Sequence, residues 1–324
     1  MAGQQLLVTN TLGGYTVVPK LSEHLQKPVS PICKFRQFVS YKESFGKNAG
    51  ESVVFDRYSR ITTAGGTLSE TSTIPRHNII YSQGTLTVTE WGNAIGRTKK
   101  LKVLSKQNVD SPIQKALRLD AQSVLDAAVG AQYKDTLARY VCITAATQTL
   151  TTNGTASATA TCNLNRYHVE NLTDQLKIWN VPPFPDGKYV CISSIKGIRG
   201  IKDDTSMGGW MDAARYAGSK RLWSGEMGEY MGVRFVEETN VLSNTVGNGS
   251  AYGEAVIFGP ECVMEAVAIP EQVILDTPRD FGRDVGVGWY FLGNWKIMTC
   301  GLTDGDSVST TNGWVPHCIY VASL

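Results

Sequence analysis

Two runs of sequence decide how this chain folds: residues 51–61, ESVVFDRYSRI, and residues 77–91, HNIIYSQGTLTVTEW. Both are rich in β-branched and aromatic side chains, which suit a pleated, half-buried surface. In the second run Thr85, Thr87 and Thr89 alternate with Leu86 and Val88, giving one polar and one apolar face. Between the runs lies a polar tip, 62–76, containing Thr62, Thr63, Gly65, Gly66, Ser69, Ser72 and Pro75. The pattern predicts one long hairpin. A ten-residue strand spans ~33 Å, whereas a compact body of this length has a radius of gyration of about 20 Å. The wide tip of low charge predicts a hairpin that reaches outward rather than folding back on its own body.

On the C-terminal side, Asp110-Ser111-Pro112 opens a helix, with Ser111 as the expected N-cap and Pro112 in the first turn. Ile113, Leu117, Ala121, Val124, Leu125, Ala128, Val129 and Leu137 follow at helical spacing, which predicts a helix over 112–139, ~42 Å long at 1.5 Å per residue. Gly130 interrupts it and marks an expected bend. On the N-terminal side, residues 1–50 have little helical periodicity. Gly13-Gly14, Pro19, Pro28 and Pro31 separate short apolar groups, and the segment reads as an extended arm packed on something else.

Further along, 144–163 is rich in Thr and Ala with Asn153-Gly154 at its centre, a hairpin or mobile-loop signal. A helix is expected over 165–179, a strand over 188–195, a helical stretch near 207–217, and strands over 232–236 and 253–258. Helix and strand signals mix without a βαβ repeat, so the class is α+β. No solenoid-period repeat is present.

Composition limits the function. The chain has 324 residues, 42% hydrophobic, enough to bury a core. Charged residues make up 19%, against roughly 25% in an average soluble protein. That scarcity suits a surface committed to partners. A net charge of +2 gives no polybasic field, leaving at most weak, non-specific contact with nucleic acid. The seven cysteines are scattered without C-x-x-C, which reads as free thiols in a reducing compartment. Met1-Ala2-Gly3-Gln4-Gln5 has neither a basic nor an apolar run, so no signal peptide is expected. No apolar run approaches the ~18 residues of a membrane span.

No catalytic chemistry is legible. The four histidines, His24, His77, His168 and His317, fall in no metal or catalytic motif. There is no G-x-S-x-G elbow and no G-x-x-x-x-G-K-[ST] phosphate loop. Asp203-Asp204 and Glu237-Glu238 have no evident third ligand. Arg221-Leu222-Trp223, and Arg283 near Trp289, suit a core edge or a subunit interface better than a base-stacking site. No catalytic residue, cofactor site or metal site is assigned, and the chain reads as a structural subunit, not an enzyme.

Four stretches carry a family resemblance: Glu90-Trp91-Gly92-Asn93 with Arg97-Thr98; AGSKRLWSGEMGEYMG at 217–232 running into VRFVE at 233–237; AVIFGP at 255–260; and DFGRDVGVGWY at 280–290. In this order, behind a hairpin and a long helix, they resemble the major capsid proteins of N-four-like phages, a branch of the Hong Kong 97-like capsid fold. The resemblance implies an N-terminal arm at 1–50, an extended hairpin loop at 51–100, a peripheral domain at 101–183 and 271–324 with the long helix as its spine, and an axial domain at 184–270.

It also implies a function: self-assembly into pentamers and hexamers of an icosahedral shell enclosing double-stranded DNA, in the virion, after assembly in the host bacterial cytoplasm. Expected partners are further copies of the chain, a separate scaffolding protein, a portal and a cement protein, with no membrane. Scaffolding is expected as a separate protein because strand-like sequence begins almost at once. Cross-linking through a hairpin lysine is not expected, because no Lys lies between Lys47 and Lys99. Expected inter-subunit contacts are Tyr15, Val17, Phe35 and Phe38 in the arm, Ile61, Leu68, Ile74, Trp91 and Arg97 in the hairpin, and Arg221 and Trp223 beyond it. The alternatives are an encapsulin-like compartment shell, a tail-tube or fibre protein, and an oligomeric enzyme without a linear motif.

Overall fold

A computed structural model describes residues 30–39, 41–44, 50–61, 65–71, 73–105, 109–203, 228–242, 253–278, 280–298 and 314–324. In chain order its strands are β1 (Tyr41–Ser44), β2 (Ser52–Tyr58), β3 (Tyr81–Thr87), β4 (Thr89–Thr98), β5 (Arg139–Thr144), β6 (Thr147–Thr151) and β7 (Tyr189–Ser193). They continue with β8 (Glu229–Tyr230), β9 (Val233–Glu237), β10 (Gly253–Phe258), β11 (Val263–Leu275), β12 (Asp284–Ile297) and β13 (Cys318–Ser323). The helices are α1 (Lys99–Leu104), α2 (Asp110–Lys134), α3 (Arg166–Ile178) and α4 (Arg199–Lys202).

Period-two alternation builds two cores from the same strands. In β7, Tyr189 and Cys191 join one cluster while Val190 and Ile192 join the other. β10 divides the same way, Ala255 and Ile257 against Val256 and Phe258, as does β13, Ile319 and Val321 against Cys318 and Tyr320. A strand buried on both faces reads as a continuous apolar run, and these do. They form the centre of a seven-stranded sheet ordered β6-β5-β13-β10-β7-β9-β8. α3 covers one face with Val169, Leu172 and Leu176. Asn165 caps it, its side chain accepting from His168 N–H at 3.2 Å.

The other face meets α2, which also packs on a four-stranded sheet ordered β1-β11-β12-β4. Alternation in β12 aims Val287, Trp289, Phe291, Trp295 and Ile297 into this second core. Asp120 on α2 ties the layers together, its Oδ2 accepting from Trp289 Nε1 and Asn93 Nδ2, each at 2.9 Å. The helix therefore links both sheets, as a spine. The sheets redraw the sequence boundaries: β5, β6 and β13, expected in the peripheral domain, share one sheet with the 184–270 strands. β11 itself runs through residue 270.

Several local expectations are corrected. The second strand run, 77–91, divides at Val88: β3 pairs with β2, whereas β4 pairs with β12 in the four-stranded sheet. The helix starts at Asp110, not Pro112, and its N-cap is Val109 without a side-chain cap, so Ser111 does not cap it. It stops at Lys134, because Thr136 Oγ1 donates to Cys318 O at 2.8 Å and the chain then joins β13 as β5. Asn153-Gly154 lies beyond β6, and the hairpin turns at Ala145-Ala146 instead. The expected helix near 207–217 lies outside the described residues.

Gly130 does not bend α2. It allows a close approach: a Cβ there would sit 2.8 Å from both Val241 methyls and 3.0 Å from Phe35 Cδ2. Ala is the better helix former by about 1 kcal/mol, yet overpacking a filled core costs ~1–3 kcal/mol. Gly130→Ala is expected to unfold at lower denaturant, as read by a urea titration. An unchanged or higher midpoint would show that the site yields freely.

Candidate inter-subunit surface

The arm's base is anchored where the sequence predicted a free arm. Phe35–Phe38 forms a 3-10 turn against α2, with Phe35 fully buried and its ring 5.5 Å from that of Tyr133. Arg36 is the pivot. Its N–H donates to Asp126 Oδ1 at 3.0 Å, and its guanidinium pairs with buried Glu265 at 3.1 Å and also with Glu271. The same guanidinium lies 5.4 Å from the Phe291 ring centre. Ile32 and Thr239 exchange two further hydrogen bonds. β1 then adds in parallel to the edge of β11.

Beneath this base, Asp126 and Glu238 are buried carboxyls that repel one another. Glu238 accepts from the N–H groups of Asn240, Val241 and Leu242, and Asp126 from that of Arg36. Burial is the larger influence and raises both above the usual carboxylate range, and the neighbouring Asp126 charge raises Glu238 further. The folded state thus binds protons more tightly than the unfolded chain. The associated stability is fully present below the unfolded value and is lost as pH rises through the folded one. Unfolding titrations at stepped pH should therefore show wild type gaining on Glu238→Gln as the solution is acidified. The opposite slope would show that the carboxylate is the favoured form.

The hairpin is two-sided. Val53, Phe55 and Leu86 lie on the more buried face, Leu86 being only 2% exposed. Val54, Tyr58 and Tyr81 lie on the open face, where Tyr58 and Tyr81 pair across the strands at 6.4 Å. Two hydrogen bonds between Ser59 and Ile80, at 2.8 and 3.0 Å, close the strand region. Beyond that closure Ile61, Leu68 and Ile74 are 52%, 57% and 65% exposed, and Ile79 and Ile80 are exposed as well. The base is held to the body: Lys296 Nζ donates to Thr85 O at 2.8 Å and Asn294 Nδ2 to Thr87 O at 2.9 Å.

A second apolar surface was not recognised in the sequence. At one end of the four-stranded sheet, Val273, Ile274 and Leu275 of β11 are exposed, beside Leu101, Val103 and Leu104 of α1. The β11–β12 turn carries Phe281, wholly exposed at φ 51°, next to Asp280 at φ 48°. Left-handed backbone at a bulky residue is unfavourable by roughly 1–2 kcal/mol. An isolated subunit gains nothing from presenting Phe281 this way. The residue stood inside a quoted motif, but the signal that marks it, φ with exposure, is absent from sequence.

Of the residues expected at contacts, Ile61, Leu68 and Ile74 are free to meet a partner. Phe35 is not: its surface is consumed inside its own core. Phe38 packs edge-on against Phe258, Trp91 Nε1 donates to Gly293 O at 3.0 Å, and Arg97 pairs with Asp110 at 3.0 Å, all within the chain. Tyr15, Val17, Arg221 and Trp223 lie outside the described residues. Among the described residues no cluster of His, Cys, Asp and Glu could hold a metal, and no helix is long and apolar enough to cross a membrane. The described cysteines are free thiols; burial pushes Cys191 up to about 12 and Cys33, with the Asp126 and Glu238 charges, to about 11.

No protein-family model and no curated relative matches the sequence. Solved structures do match. The capsid of Ralstonia phage GP4 superposes with a TM-score of 0.65 at 14% identity, over 98% of this chain and 98% of that one. This chain has a phage capsid fold. The cyanophage P-SCSP1u capsid matches with a TM-score of 0.66 at 9% identity, over 98% and 97% of the two chains. The cyanophage Pam1 capsid asymmetric unit matches at 0.64 and 15% identity, over 100% and 99%. End-to-end coverage assigns the spine helix, both sheets and the hairpin to one Hong Kong 97-like α+β architecture.

Proposed function

We propose that this chain is the major capsid protein of a tailed phage, a structural subunit whose copies build an icosahedral shell around double-stranded DNA. The observation that carries the reading is the hairpin tip: a capsid fold that projects Ile61, Leu68, Ile74, Ile79 and Ile80 beyond any core of its own. Exposed apolar groups in such a cluster mark an interaction surface. Full burial of each is worth ~1.5–3 kcal/mol before ordering and association costs. Each contact then stays reversible, while a closed shell sums many of them. Subunits meeting around five- and six-fold axes do so head to tail, so a projecting element of one must meet a different surface of the next. The tip and the far end of the four-stranded sheet supply two such unlike surfaces.

The four sequence stretches support placing it in the N-four-like branch. The proposed partners are other copies, a separate scaffolding protein, a portal and a cement protein; the enclosed DNA is touched weakly, consistent with a net charge of +2. Its place is the virion, after assembly in the host cytoplasm.

Phe281→Ser provides a local test. The subunit should unfold at an unchanged or slightly higher denaturant concentration, because a fully exposed ring contributes no packing. Assembled particles should dissociate at lower denaturant, read by light scattering. Particles as resistant as wild type would remove Phe281 from the interface.

A further inference from the structure

The four-stranded sheet has two unlike edges. One carries β1, directly downstream of the anchored arm base. The other is β4, ten residues long, and among the described residues no strand pairs with its outer side. Lys99 N–H donates to Arg283 O at 2.8 Å, continuing the β4–β12 ladder past Thr98. The alternation of an antiparallel ladder then turns the peptide groups of Gly96, Ala94, Gly92 and Glu90 to the open edge. One of these is taken: Asn93 Oδ1 accepts from Ala94 N–H at 2.9 Å. The edge, TEWGNAIGRT, has no proline and no lysine and is mostly exposed, so the devices that usually protect a free edge are missing. Glycines at 92 and 96 leave room beside it.

We propose that this edge receives, by strand addition, the N-terminal residues 1–29 of another copy of the chain, a reading that rests on shell assembly. Three observations select this occupant. Leu6-Leu7-Val8-Thr9 and Tyr15-Thr16-Val17-Val18 are strand-forming runs. The 29 residues before the anchored base can reach about 95 Å when extended. The chain leaves that base on the edge opposite β4, so one edge gives a strand and the other takes one. That is a heterologous contact, the kind that closes rings.

The test co-assembles two forms. One lacks residues 1–29 and carries the photo-cross-linking amino acid p-benzoylphenylalanine in place of Ala94; the other is the full chain. A cross-link to residues 1–29 then comes only from another copy. The expected result is cross-linked peptides from 6–18 in purified shells. Gly96→Pro supports the same reading: it removes an edge N–H without touching the ladder to β12, and its Cβ meets only Asp284 Oδ1 at 3.9 Å. It should lower shell resistance to denaturant as far as arm truncation does, with no further loss when the two are combined. Cross-links confined to other segments in well-formed shells, or additive losses, would overturn the proposal while leaving the capsid reading intact. Failure of the full chain to form shells at all would instead strike the capsid reading on which it rests.

Discussion

Deleting residues 62–76 is expected to leave a folded subunit that forms no stable shell. The expectation follows from where the hairpin closes. The Ser59–Ile80 hydrogen bonds and the β2–β3 register lie inside the deleted span's flanks and survive its removal. Leu68 and Ile74 belong to neither core, so the subunit loses nothing it packs on. Substitutions away from packed features usually stay within ~0.5 kcal/mol. Urea unfolding and circular dichroism of the variant should match wild type, while electron micrographs should lack closed particles. Normal shells from the deletion would show that the tip is not a contact surface.

The second large effect is expected at Arg36. Its guanidinium joins Glu265 and Glu271 of β11 and lies over Phe291 and Trp295 of β12, while its backbone sits on Asp126 of α2. Breaking a buried ion pair by removing one partner costs ~3–5 kcal/mol, and the guanidinium here is partly exposed, so Arg36→Ala should lower stability by ~2–4 kcal/mol. Arg36→Lys keeps the charge but not the fork or the stacking, so it should recover only part of the loss. The measurement is equilibrium unfolding of the full chain with hydrogen exchange across residues 30–39. A change below ~0.5 kcal/mol, with unaltered exchange, would mean that the arm base is held by Phe35 alone.

How much of this was legible in the sequence depended on whether the signal was local. The helix over α3, with its Asn165 cap and its apolar spacing, was readable because both signals lie within one turn of each other. So was the hairpin, from alternation alone. The division of the second strand at Val88 was not, because β4 is defined by its pairing with β12, nearly 200 residues away. Phe35 and Trp91 looked like projecting apolar groups for the same reason. Their partners, Tyr133 and Trp295, are distant in sequence, and only the packed chain shows that these surfaces are already covered. Gly130 shows the converse: propensity predicted a bend, while tertiary approach by Val241 and Phe35 explains the glycine. The surface around Phe281 was hidden because exposure and a left-handed φ have no sequence signature of their own.

The central claim is that copies of this chain build a shell. Electron microscopy of the purified full chain, expressed alone and with a scaffolding protein, tests it most directly. The account predicts closed particles whose surface lattices resolve into pentamers and hexamers in at least one of those conditions. A small monodisperse oligomer under both would contradict it.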